Sequence, residues 1–341
     1  MKLGILIFEV TDACNQNCRF CYNYWKAPGG GNAGETPVVP EPPSYKRARR
    51  TLRRLFRQAT VESLSFSGGE PMLMPRLADL LLMTRLHKTR VNVLTNGTLL
   101  TPQGVDLFKT LDVGRVQIPI LSADPSVHNA LTEKEGAWEK AVSALQSVLA
   151  WQPNRASAVL ILTGENITGL RQTLAFYREL GVKSVLVNRF NVGGNGLRHR
   201  ESLTLSHTQL RQAFREIETF AATSNISFSS GVCTPICVLN PSDYPHIAFS
   251  FCNTNVMSRP ITLSYKGDVR FCNHSPRIMG NIYERTLEQI LNDPATSAYY
   301  AALPQACTAC PHLSRCQGGC RAASEQVFHD FSQVDPLINT I

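Results

Sequence analysis

Short apolar runs alternate with amphipathic stretches along this chain at a period near thirty residues. The runs LGILIFEV, VESLSFS, VNVLTN, VGRVQIPILS, SAVLILT and VKSVLVN predict six β-strands. Helical patterns beginning near Ser44, Pro75, Thr101, Glu133 and Asn166 separate them. Five of the six runs are rich in Val, Ile and Leu without strict alternation, as expected of parallel strands buried on both faces. The fold class is therefore α/β, built from six βα units. Barrels of such units place their chemistry at the C-terminal ends of the strands, so the residues following each run carry the interest.

With 341 residues the chain exceeds one ordinary domain, and 43% hydrophobic content allows a sizeable core. No apolar run approaches the roughly 20 residues needed to span a bilayer. The opening MKLGILIFEVTDAC is too short, and too soon interrupted by Glu9 and Asp12, to read as a signal peptide. These features predict a soluble cytoplasmic protein. Eleven cysteines in such a compartment point to metal or redox sites rather than structural disulfides. The net charge of +8 is concentrated in one predicted helix, which carries Lys46, Arg47, Arg49, Arg50, Arg53, Arg54 and Arg57 without an acid. Ala48, Leu52, Leu55, Phe56 and Ala59 recur at helical spacing opposite, so the expectation is an amphipathic helix with a solvated basic face. Nucleic acid is disfavoured as a partner, because no aromatic residues are interleaved with the basic ones for stacking on bases.

The densest chemistry is Cys14-x3-Cys18-x2-Cys21, directly after the first strand. Iron–sulfur clusters normally take four thiolates, and the next cysteine is Cys233, so three cysteines leave one iron for an exogenous ligand. A zinc site is the alternative, but zinc knuckles add a second pair or histidines at loop distance, and no histidine precedes His87. The spacing, with Phe20 before the third cysteine, resembles the radical S-adenosylmethionine (SAM) superfamily. That resemblance implies a [4Fe-4S] cluster on Cys14, Cys18 and Cys21 whose open iron is chelated by SAM. It further implies reductive cleavage of SAM to a 5′-deoxyadenosyl radical, on a partial (βα)6 TIM barrel. Phe20 and Tyr22 lie beside this site.

Other strand ends fit the same resemblance. Gly68-Gly69-Glu70 after the second strand is similar to the family's GGE motif, which binds the SAM amino group. Asn96, within Thr95-Asn96-Gly97 after the third, matches a common TNG segment. Ser122, with Asp124 close by, occupies the place of a serine that hydrogen-bonds the SAM ribose, and Asn188 and Arg189 after the sixth strand are placed to reach the cofactor. For Ser122 and Asn188, turn capping is an equally good reading. The Gly- and Pro-rich APGGGNAGETPVVPEPP is expected to be an irregular loop beside the cluster.

The second half carries Cys252, Gly267 and Cys272, then Cys307-x2-Cys310-x5-Cys316-x3-Cys320. This order resembles the SPASM extension of radical SAM enzymes, a small α+β domain with two auxiliary clusters. The resemblance assigns Cys252, Cys272 and Cys320 to the first cluster and Cys307, Cys310 and Cys316 to the second. Family members often carry a further cysteine after the last pair and another soon after Cys252, and this chain has neither. The second cluster is then completed by His329, Asp330 or Asp335, or stays three-coordinate. The first has an open iron, or is completed by Cys237 or, as second choice, Cys233. Cys233 and Cys237 have three competing readings: cluster ligand, hydrogen-atom donor, or packed thiol. The expected division is a barrel over 1–205, a bridging helix over 206–229 and a cluster domain over 230–341.

The segment PILSADPSVHNALTEKEGAWEKAV resembles its counterpart in SPASM enzymes that modify peptides. The leading expectation is therefore cross-linking, oxidation or epimerisation of a ribosomally synthesised peptide. A low-potential donor such as a flavodoxin or ferredoxin would supply electrons. The chain starts at strand one without a winged-helix leader-binding domain, so leader binding is expected to fall to the barrel itself, to the basic helix, or to a separate leader-peptide-binding protein. Alternatives are anaerobic sulfatase maturation and dehydrogenation or epimerisation of a small metabolite such as an aminosugar. A multi-cluster electron carrier is disfavoured, since it needs no open iron and no barrel.

Overall fold

The computed structural model describes residues 1–28, 41–256 and 259–339. Most of the expected Gly- and Pro-rich loop therefore lies outside the described residues. One sheet runs through the molecule. Its first six strands are β1 (Lys2–Glu9), β2 (Thr60–Ser67), β3 (Arg90–Leu94), β4 (Arg115–Pro119), β5 (Ala156–Leu162) and β6 (Ser184–Arg189), parallel and in sequence order. The helices between them are α1 (Tyr45–Gln58), α2 (Leu77–Leu86), α3 (Pro102–Thr110), α4 (Pro125–Thr132), α5 (Ala137–Trp151) and α6 (Leu170–Glu179). The six expected strands are present, and the partial (βα)6 barrel holds. The helix expected from near Glu133 is α5, and a short, unexpected α4 precedes it, capped by Asp124, which accepts from the Ser126 N–H at 2.8 Å.

The strands do alternate in burial, contrary to the sequence reading. Leu64, Phe66, Val93, Val116, Ile118, Ala158, Leu160, Val185 and Val187 are buried on the helix-covered face. The positions between them, Gln117 and Pro119 on β4, Val159 and Ile161 on β5, Leu186 and Asn188 on β6, line a cavity. A side-chain period of two thus sends one set into the core and the other into open space. Helix α1 follows its pattern: Ala48, Thr51, Leu52 and Leu55 are buried, while Lys46, Arg47, Arg49, Arg50, Arg53 and Arg57 face solvent. Arg54 is half-buried and donates to the Tyr283 carbonyl.

The sheet continues past the sixth strand. After α7 (Arg200–Leu203) and α8 (His207–Thr223), β7 (Ser227–Ser230) and β8 (Ile247–Phe249) extend it in parallel beyond β6. On the opposite edge β9 (Ile261–Ser264) pairs in parallel with β1, and β10 (Asp268–Arg270) and β11 (Ile278–Asn281) follow antiparallel. The second half of the chain therefore shares the barrel's sheet, and α9 (Leu287–Leu291), α10 (Pro294–Ala301), α11 (Leu313–Cys316) and α12 (Arg321–Phe328) complete it. No helix among the described residues is long and apolar enough to cross a membrane.

Two buried ion pairs join the halves. Arg270 on β10 pairs with Glu9 at the end of β1, and Arg189 at the end of β6 pairs with Asp335. Removing one partner of such a pair strands the other charge in a low-dielectric site. Arg189→Met is expected to lower the unfolding free energy by about 3–5 kcal/mol, measured from denaturant midpoints. Adding Asp335→Asn to it should recover part of that loss; a single variant as stable as the wild type would contradict the role.

Candidate functional site

The cysteine loop leaves β1 at Val10 and turns back through Cys14, Cys18 and Cys21. What holds it is backbone packing against the Gly68-Gly69-Glu70 turn at the end of β2. The Gly69 and Glu70 N–H groups donate to the Thr11 and Ala13 carbonyls, each at 2.8 Å. A Cβ on Gly68 would come within 2.3 Å of the Thr11 carbonyl oxygen, and one on Gly69 within 2.1 Å of that of Ala13. Gly68 also has φ +128, a left-handed conformation that side chains resist. Both glycines are therefore required by the close approach of two loops.

Glu70 binds this turn to the next strand end. Its carboxylate accepts from the Met72 N–H at 2.9 Å, the Thr95 hydroxyl at 2.6 Å and the Asn96 N–H at 2.8 Å. It is 1% exposed, and burial pushes it up to about 7 despite those three donors. Asn96 in turn donates to Asn15 of the cysteine loop at 2.9 Å. Three consecutive strand ends are thus hydrogen-bonded into one rim.

Inside that rim lies a cavity of about 440 Å³ bordered by Cys14, Cys18 and Cys21 together with Phe20, Tyr22, Gly68, Gly69, Glu70, Asn96 and Asn188. The same cavity is also bordered by Cys233, Cys252, Cys272 and Cys320. Asn188 uses its carbonyl oxygen on the Gly231 and Val232 N–H groups, at 2.9 and 3.1 Å. The other predicted residues lie elsewhere. Ser122 and Asp124 border a separate cavity of about 320 Å³, with the Ser122 hydroxyl accepting from the Asp124 N–H at 3.0 Å. Arg189 is buried against Asp335, Thr234 and the Cys233 carbonyl and does not border the cysteine-lined cavity. Asp335 is occupied by Arg189 and by the Cys320 and Leu337 N–H groups, and Asp330 caps its own turn through Ser332 and Gln333. His329 is exposed at the end of α12.

Cys307, Cys310, Cys316 and Cys237 lie outside the cavity. Cys237 is exposed and Cys316 buried, its sulfur accepting from the Ile236 N–H at 3.4 Å. Among the described residues, no three His, Cys, Asp or Glu side chains close on a single ion. Seven of the eleven cysteines line the cavity instead. The donor set fits iron–sulfur clusters, since soft thiolates are their ligands. Two buried polar atoms without partners, Gln16 Nε2 and Asn191 Oδ1, belong to residues on the wall of the same cavity. Burial pushes the Cys14, Cys18 and Cys21 thiols up, while the Lys26 ammonium pulls each down. Loading such thiols with metal must release protons.

Several contributors were not singled out from sequence. Lys26 borders the cavity and donates to the Gln16 carbonyl at 2.8 Å, and Arg259 places its guanidinium 3.4 Å from the Cys252 sulfur. Each is a cation a few residues past a cysteine, which is the signal available. His128 borders the cavity too, and its Nδ1 accepts the Leu121 N–H at 3.2 Å, so Nε2 carries the proton. Burial lowers it to about 4, keeping the ring neutral.

A family model described as the radical SAM superfamily matches residues 8–177, and one described as an iron-sulfur cluster-binding domain matches residues 252–311. The PqqA peptide cyclase of Gluconobacter oxydans is 24% identical over 348 residues, spanning 97% of this chain and 89% of that protein. Streptococcus suis SuiB bound to precursor peptide SuiA superposes with a TM-score of 0.73 at 15% identity, covering 99% of this chain and 76% of that one. The solved anSMEcpe with bound AdoMet gives a TM-score of 0.73 at 14% identity, covering 100% and 94%. At these identities the two structural likenesses establish the fold.

The position of Glu70 has a pH signature. Its folded value lies above its ordinary one, so it stabilises the fold fully below about pH 4.5 and loses that contribution as pH rises through about 7. The stability of the wild type relative to Glu70→Gln should therefore fall by up to about 3 kcal/mol between pH 4 and 8, read from urea midpoints. A constant difference would place the ionised carboxylate comfortably in its site.

Proposed function

Because this chain belongs to the radical SAM superfamily and carries an iron–sulfur cluster-binding domain in its second half, we propose that it modifies a peptide. The observation that carries the reading is one cavity lined both by the three-cysteine set and by further cysteines from the second half of the chain. Residues 1–205 would supply the SAM-dependent part and residues 230–341 the auxiliary part, with 206–229 between them. Cys14, Cys18 and Cys21 would hold the first cluster, leaving one iron for SAM. When bound, that cluster and SAM supply a carbon-centred radical able to abstract hydrogen from a substrate.

The chain's own residues shape what happens next. The Gly68–Glu70 turn offers backbone rather than the Glu70 carboxylate, which is committed to Thr95, Asn96 and Met72. Phe20, Val159, Ile161, Leu186 and Phe271 give the cavity apolar walls, which exclude water from a reactive intermediate. His128 presents a neutral ring there. Cys252, Cys272 and Cys320 would bind an auxiliary cluster facing the same space, and Cys307, Cys310 and Cys316 a second one outside it. A peptide substrate is supported by the relatives: a peptide cyclase by sequence, and a structure solved with a precursor peptide. Oxidation of one side chain, as in sulfatase maturation, remains the second reading, supported by likeness to anSMEcpe, which is also solved with bound peptides.

Anaerobically reconstituted, reduced protein should convert SAM to 5′-deoxyadenosine, and Cys18→Ala should abolish this while leaving the fold intact by circular dichroism. With its peptide the mass should fall by that of two hydrogens, and tandem mass spectrometry then separates a cross-link from a singly oxidised residue. Intact SAM after reduction would refute the enzyme reading; turnover confined to a small metabolite would refute the peptide.

A further inference from the structure

We propose that the two cysteines between β7 and β8 complete different sites: Cys233 joins Cys252, Cys272 and Cys320, while Cys237 joins Cys307, Cys310 and Cys316. The assignment rests on the auxiliary-cluster reading above and gives each cluster four thiolates of its own. It separates two residues that are only three positions apart, and the local structure supplies the reason.

Cys233 borders the cysteine-lined cavity together with Cys252, Cys272 and Cys320, and Cys237 does not. Cys233 and Cys252 lie close enough to couple electrostatically, and Cys320 is the next cysteine within range of Cys233. Cys237 is instead influenced by Cys316 and Cys310, and Cys307 by Cys316, Cys310 and Cys237. A turn beginning at Pro235 divides the pair: the Val238 and Leu239 N–H groups donate to the Pro235 carbonyl at 2.9 and 3.0 Å.

That turn packs on the other Cys-x3-Cys segment. The Ile236 N–H donates to the Cys316 sulfur at 3.4 Å, and a Cβ on Gly319 would lie 2.6 Å from Pro235 Cγ. Residues 233–237 and 316–320 therefore run past each other, with Cys233 at the Cys320 end and Cys237 at the Cys316 end. Arg189 fixes the register by donating to the Cys233 carbonyl at 3.2 Å, and its partner Asp335 accepts from the Cys320 N–H at 2.7 Å. The oxygen and nitrogen donors open to the second cluster on sequence grounds are exposed or otherwise engaged, whereas a thiol stands beside each set. Three, four and four account for all eleven cysteines.

The consequence is chemical. A cluster with four thiolates has no open iron, so neither auxiliary site would bind substrate directly, and the only vacant coordination position belongs to the set at Cys14, Cys18 and Cys21.

The test begins with the unmodified chain. Three four-iron clusters correspond to about 12 iron per chain. Iodoacetamide labelling followed by peptide mapping, on iron-free and on reconstituted protein, should label both Cys233 and Cys237 without iron and neither with it. Cys237 is exposed, so equal labelling in both states would overturn the assignment without any variant. Electron paramagnetic resonance of the reduced variants then sorts the sets. Cys233→Ala should perturb the same signal as Cys272→Ala, and Cys237→Ala the same signal as Cys310→Ala. If Cys233→Ala and Cys237→Ala alter one common signal, or none, the assignment is wrong although the clusters exist. If the wild type itself holds about 4 iron, the auxiliary-cluster reading fails and takes the assignment with it.

Discussion

The buried pair between Arg189 and Asp335 is the interaction on which the second half of this protein depends. Each charge is tolerable in the interior only because the other is present, so neither end can shift alone. Arg189 brings the end of a barrel strand and reaches the Cys233 carbonyl and the Thr234 hydroxyl. Asp335 brings the C-terminal segment and holds the Cys320 amide. Two cysteine segments from distant parts of the chain are thereby aligned before any metal is considered. Glu9 and Arg270 do the equivalent at β1 and β10, with the guanidinium also lying 4.7 Å from the centre of the Tyr24 ring.

The charges around the thiols follow a second order. Lys26 stands near the first cysteine set and Arg259 beside Cys252, each offsetting negative charge that thiolates would bring into a buried place. Cys237 instead reaches the surface. The cysteines thus run from solvent to the cavity, and the cations are supplied where water is scarce.

How much of this was legible depended on the distance over which each signal acts. The barrel strands carry their own apolar runs, and Ser44 and Thr101 sit at the helix caps where their patterns began. The strands SFSS, IAF, DVR and IMGN have no such run; they are strands because β6, β1 and their neighbours offer unpaired edges. Gly68 and Gly69 were legible as a motif, but the commitment of Glu70 to Thr95 and Asn96 was not. Arg189 looked like a cofactor contact because it follows a strand. Its true partner lies far along the chain, where no local pattern points to it.

The pairing of β1 with β9 has a bearing on how the molecule is made. Leu6 and Phe8, wholly buried in the finished sheet, belong to the first of the six barrel strands in chain order, and among the described residues that strand's outer edge is covered by Ile261 to Ser264. Until those residues emerge, the edge stands open as a template for other chains. Contacts so remote in sequence form late. The same strand that delivers Cys14 to its site thus relies on the second half of the chain for its other edge, and removing that half would leave the edge unpaired.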